Sequence, residues 1–136
     1  VAEHSPEKAT WAEEIAVAAM KTPQPPFLQM VEAFRILDVQ AREHQPYEVE
    51  VQVISLGTDV AWVSLPGEIF VQLGLAIKDG SPFRITSIHE LANGSIGYIP
   101  TQQAYLQGNY EVISARCASG GGGILVGAAL RKLKED

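Results

Sequence analysis

The sequence predicts an α/β fold: a layered structure in which helices flank a mixed β-sheet. Three observations carry that expectation. Strand-like and helix-like stretches alternate along most of the 136 residues. Tyr47 to Leu56 alternates apolar with polar, while VAWVSL (60–65) is apolar almost throughout, the pattern of a strand buried on both faces. LPGEIFVQLGLAIK (65–78) then passes from a strand end through Pro66-Gly67 into an amphipathic stripe.

The elements follow in order. Residues 1–21 read as a helix that starts at Ser5-Pro6, with Glu7 in its first turn and Trp11, Ile15, Ala18 and Ala19 at helical spacing. TPQPP (22–26) is a proline-rich connector. Phe27 to Val39 reads as β-like, and AREHQP after it as a polar loop. The turn signal Gly57-Thr58-Asp59 joins 48–56 and 60–65 into a hairpin. A helix over 67–78 carries Ile69, Leu73, Ala76 and Ile77 on one stripe and ends at Asp79-Gly80-Ser81-Pro82. Phe83 to Leu91 is a strand closed by Asn93-Gly94, and Ile96 to Ile99 is a short one. Pro100-Thr101 opens a short helix through Leu106, and Tyr110 to Ala115 reads as the last strand. SGGGG (119–123) leads into a helix over 124–134.

At 46% hydrophobic and 19% charged, the whole of 1–136 fits one domain with a real core, or part of a larger one. No apolar run is long enough for a transmembrane segment. The net charge of -6, with basic residues scattered apart from Arg131, Lys132 and Lys134, argues against a nucleic-acid partner. Cys117 is the only cysteine, so there is no internal disulfide and no thiolate zinc site. The first residues carry no signal-peptide pattern, and Val1 in place of Met reads as a processed or trimmed start.

A few residues are placed to do chemistry. Glu68 has two readings: a first-turn carboxylate that complements a helix dipole, or a hard oxygen ligand at a strand end, where α/β proteins place their sites. GYIPTQQAYLQGNYEV (97–112) holds Tyr98, Tyr105 and Tyr110. Gly97 and Pro100 specify the backbone around Tyr98, which makes its hydroxyl a placed group; the ordinary role of such a tyrosine is structural. His4, His44 and His89 are far apart and form no metal-binding pair; His89 reads as a core-edge residue and His44 as solvated. SGGGG is either a flexible helix entry or a cradle of N–H groups for an anion, and lacks the Lys-Ser/Thr of a P-loop. Cys117 follows Arg116, which favours a thiolate, but no histidine is near it in sequence, and such a cysteine is usually inert.

Taken in order, LPGE (65–68), SPF (81–83), LANG (91–94), GYIPT (97–101) and NYEV (109–112) resemble the neutral/alkaline, non-lysosomal ceramidase family, and within it the bacterial ceramidase-like branch. The resemblance covers about residues 47–134. It implies a zinc-dependent amidase that splits an N-acyl bond, with zinc held by two histidines, a glutamate and a tyrosine. Glu68 matches the glutamate and Tyr98 the tyrosine. Tyr110 matches a second tyrosine set over the scissile carbonyl. The two histidines lie far upstream in that family and have no counterpart here, so the chain resembles the C-terminal part of such a catalytic domain. Two oxygen ligands alone should bind Zn2+ weakly, because imidazole supplies much of the affinity.

The expected partners are therefore the N-terminal part of the domain, in cis or as a separate chain, and a lipid amide substrate. The resemblance also implies a secreted or periplasmic setting. Two other readings stand beside it. One is a non-catalytic α/β assembly or binding module without the metal, including a homo-oligomer formed through the vacant face. The other is an anion-binding domain built on SGGGG.

Overall fold

The computed structural model describes residues 1–43 and 45–135. Helix α1 (Pro6–Ala19) starts where the sequence places it: Ser5 Oγ accepts a hydrogen bond from the Lys8 amide at 3.3 Å, and Pro6 occupies the first turn. It pairs with α2 (Phe27–Ala41) around Ala12, Ala33 and Ile36. The β-like expectation for Phe27 to Val39 is therefore corrected to a helix. The segment is rich in Leu, Met, Gln, Glu and Ala, which favour helix, and Ala33, Ile36 and Val39 are buried at three-residue spacing.

The predicted hairpin is present. Strand β1 (Gln52–Leu56) runs antiparallel to β2 (Val60–Ser64) in the register Leu56↔Val60 to Gln52↔Ser64. Gly57, at φ +59°, takes the left-handed conformation at the turn. Residues 47–51 lie outside the ladder. Strand β4 (Ile85–His89) joins β2 in parallel, which gives a mixed three-stranded sheet in the order β1-β2-β4.

Ala61, Val63 and Leu65 pack against Ile77, Ala129 and Leu133 to form the main core. Ile77 comes from α3 (Val71–Gly80), and the other two from α5 (Gly121–Leu133). The opposite sheet face is open, so the expected two-sided burial of VAWVSL is not met. Trp62 is only half-buried there, and Ile54, Leu56 and Ile85 are 55%, 67% and 46% exposed.

Three boundaries shift in ways that matter for the site. The helix expected over 67–78 begins at Val71, because Glu68–Ile69 form a short strand, β3. It pairs in parallel with β5 (Tyr98–Ile99). Tyr110 to Ala115 is not a strand: Tyr110–Ser114 form a short helix, α4, entered through Asn109 at φ +81°. The last helix, α5, starts inside the glycine run rather than after it. No described helix is long and apolar enough to cross a membrane.

Candidate functional site

The site is built at the corner where β2 ends. Pro66 and Gly67 are buried there, and a Cβ at Gly67 would lie 2.6 Å from the Gly97 carbonyl oxygen. Glycine is thus required for the two segments to approach. The Glu68 amide donates to Gly97 O at 3.0 Å and the Phe70 amide to Ile99 O at 3.1 Å. These bonds fix the register Glu68↔Tyr98. Parallel register partners carry their side chains to the same face, so the carboxylate and the phenol are neighbours.

This overturns the helix-dipole reading of Glu68. The residue precedes the N-cap Phe70, and α3 has no acidic residue in its first turn. Its electrostatic partner is Tyr98 instead. The Glu68 charge is the main cause that raises the Tyr98 hydroxyl above its ordinary pKa, with smaller contributions from burial and from Tyr110 and Glu111.

Tyr110 stands at the start of α4 and meets the Tyr98 ring edge-on, with centroids 6.0 Å apart and planes at 79°. Phe27, the first residue of α2, stacks with the Tyr110 ring at 6.0 Å and 19°. Phe27 was not singled out in the sequence: its segment reads as strand, and nothing local links it to Tyr110. An open cleft of about 370 Å³ adjoins this pair, lined by Phe27, Met30, Phe34, Arg35 and Tyr110 among others.

Tyr105 does not join the cluster. Its hydroxyl donates to the Cys117 carbonyl at 2.7 Å and lies 3.4 Å from Sγ. Burial, followed by that contact with Cys117, pushes its pKa well up. Arg116 forms an ion pair with Asp38 rather than with the thiol, in keeping with an inert, buried Cys117.

His89 is exposed at the end of β4, and His4 is half-buried near the N-terminus. His44 lies outside the described residues. Among the described residues, no three His, Cys, Asp or Glu side chains converge on one point.

The glycine run has a steric explanation. A Cβ at Gly122 would fall 2.7 Å from Leu73 Cδ1 and 3.0 Å from the Pro100 carbonyl oxygen, and one at Gly121 would fall 3.1 Å from Cys117 Cβ. Gly120 and Gly123 face open space.

No family profile matches the chain, and no curated protein matches it. Solved structures do. The crystal structure of the neutral ceramidase from Pseudomonas aeruginosa superposes with a TM-score of 0.60 at 17% identity, over 98% of this chain and 20% of that one. A ceramidase complexed with C2 gives 0.55 at 19% identity, over 61% of this chain and 14% of that one. The fold is ceramidase-like. With 98% of the chain covered, the likeness takes in α1 and α2 as well as the motif-bearing part, and the chain spans a fifth or less of either structure's length.

Proposed function

We propose that this chain is the C-terminal part of the catalytic domain of a zinc-dependent, ceramidase-like amidohydrolase that cleaves an N-acyl amide. The observation that carries the proposal is the β3–β5 register, which sets Glu68 beside Tyr98, with Tyr110 edge-on to the same ring. The ceramidase-like fold supports it.

The donor chemistry fits zinc in part. A carboxylate and a phenol are oxygen ligands that Zn2+ accepts. Among the described residues no three His, Cys, Asp or Glu side chains converge, and we assign the remaining donors to the upstream part, in cis or as a separate chain. When bound there, zinc polarises a carbonyl and acidifies water.

The chain's own residues have separate tasks. Glu68, held through its backbone to Gly97, presents a fixed anionic oxygen. Tyr98 would supply the neighbouring oxygen ligand. The Tyr110 hydroxyl donates a hydrogen bond to the amide oxygen as negative charge develops on it. Phe27 limits the tilt of the Tyr110 ring. Cleavage then yields a carboxylate and an amine.

The test is N-acyl hydrolysis with the upstream part supplied, alongside zinc content by elemental mass spectrometry of protein purified without chelator or affinity tag. Zinc and activity should both be lost in Glu68→Ala. No hydrolysis of lipid or simple amides by the complete assembly refutes the proposal.

One observation favours a second reading, a non-catalytic assembly module. The open sheet face with Ile54, Leu56 and Ile85 is an apolar surface of the kind that marks association. Analytical ultracentrifugation that finds a monomer at high concentration counts against self-association through it.

A further inference from the structure

Tyr98 lies in a strand of only two residues, β5, so contacts beyond the β3–β5 ladder bear on its position. The bonds from Glu68 N to Gly97 O and from Phe70 N to Ile99 O flank Tyr98 on the β3 side. In a parallel pair the backbone groups of the intervening residue point the other way. The Tyr98 carbonyl therefore faces away from β3, and Cys117 Sγ lies 3.8 Å from it as donor. The thiol is itself held. The single proton of the Tyr105 hydroxyl goes to the Cys117 carbonyl at 2.7 Å, and the phenol oxygen contacts Sγ at 3.4 Å. The Tyr105 hydroxyl thus pins the Cys117 backbone and packs against its sulfur. Gly121 lets α5 close over the same cysteine, since a Cβ there would meet Cys117 Cβ at 3.1 Å and Sγ at 3.4 Å.

We infer that Tyr105 is a positioning residue for Tyr98, acting through Cys117: by pinning the Cys117 backbone, the Tyr105 hydroxyl sets the thiol against the free edge of β5 and so holds the Tyr98 phenol beside Glu68. The functional meaning of this clamp rests on the reading of Tyr98 as a metal ligand. The clamp itself does not, and it explains two residues that the proposed chemistry leaves unused. It also gives Tyr105 a role distinct from that of Tyr98 and Tyr110.

The experiment uses the chain alone, with no metal and no substrate. Amide hydrogen exchange and the Tyr98 carbonyl carbon shift are measured by NMR for the parent, Tyr105→Phe, Cys117→Ala and the double variant. In Tyr105→Phe the Glu68 and Phe70 amides should exchange about five-fold faster, the factor that one ordinary hydrogen bond contributes. The β1–β2 ladder should keep its rates, and the Tyr98 carbonyl should move. Cys117→Ala should do the same, and the double variant should exceed neither single, because both act on one path.

A merely structural Tyr105 would change all amides alike, or only those around residues 104–106 and 115–118. Either result overturns the inference, as do additive single effects. Should Tyr105→Phe fail to fold, Cys117→Ala decides: unchanged Glu68 and Phe70 exchange with an unmoved Tyr98 carbonyl refutes the clamp. A positive result together with a failed zinc or hydrolysis assay leaves the clamp standing and removes only the proposed function.

Discussion

Gly122→Ala and Gly123→Ala should have opposite effects on stability, although the residues are adjacent in one helix. Both lie in the first turn of α5, and alanine gains up to about 1 kcal/mol over glycine in a helix, less near its end. Gly123 has nothing within 4 Å of an added Cβ, so only the gain applies, about 0.5 kcal/mol. At Gly122 the Cβ meets Leu73 Cδ1 at 2.7 Å and Pro100 O at 3.0 Å. The leucine methyl can swing aside; the carbonyl is backbone and cannot. Overfilling of this kind costs about 1–3 kcal/mol, which outweighs the gain and leaves a net loss of about 1.5 kcal/mol. The two variants should thus differ by about 2 kcal/mol, or about 1 M in urea midpoint at a slope near 2 kcal/mol/M. Urea denaturation followed by circular dichroism reads this directly. A Gly122→Ala variant as stable as Gly123→Ala refutes the close approach of α5 to Pro100. The comparison also bears on the anion-cradle reading. Substituting Gly121 or Gly122 disturbs the fold whether or not a ligand binds, so only Gly120 and Gly123 can test that idea cleanly.

Three more outcomes are expected. Glu68→Gln removes the charge that raises the Tyr98 hydroxyl pKa, so Tyr98 should ionise at lower pH in the variant, seen as phenolate absorbance against a Tyr98→Phe blank. Tyr105 has a raised folded pKa, so the unfolded chain releases this proton first; stability should fall as pH rises above the ordinary phenol value of 10.0, and Tyr105→Phe should flatten part of that slope in alkaline denaturation. Tyr110→Phe keeps the ring contacts with Phe27 and Tyr98 and should leave stability almost unchanged; the hydrolysis proposed above, assayed with the upstream part supplied, should fall about 10²–10³-fold in kcat, the range for one oxyanion donor.

Much of the fold is legible in the residues. Ser5-Pro6 starts α1, the alternation before Gly57 makes the hairpin strand, and Leu73 and Ile77 lie on the inward stripe of α3. The failures have identifiable causes. In α2 the large side chains Phe27, Leu28 and Phe34 are exposed while small Ala33 is buried against α1, so hydrophobic size points to the wrong face. α4 is five residues long, too short to be set by its own propensity, and Tyr-Glu-Val-Ile reads as strand until Asn109 and α2 dictate otherwise. The two-residue β3 leaves no periodic trace, so Glu68 reads as a helix start.

What the sequence determined by itself was the inventory: a carboxylate after Pro-Gly, a tyrosine between Gly97 and Pro100, and a second tyrosine after Asn109. Their chemistry is local, and residue type and neighbours suffice to see it. Tertiary structure alone decided their meeting. Glu68 and Tyr98 are register partners because Gly67 lets a distant segment approach, and Tyr110 reaches them because its segment turns as a helix against α2. Such pairings depend on contacts between segments far apart in the chain, which no local pattern encodes.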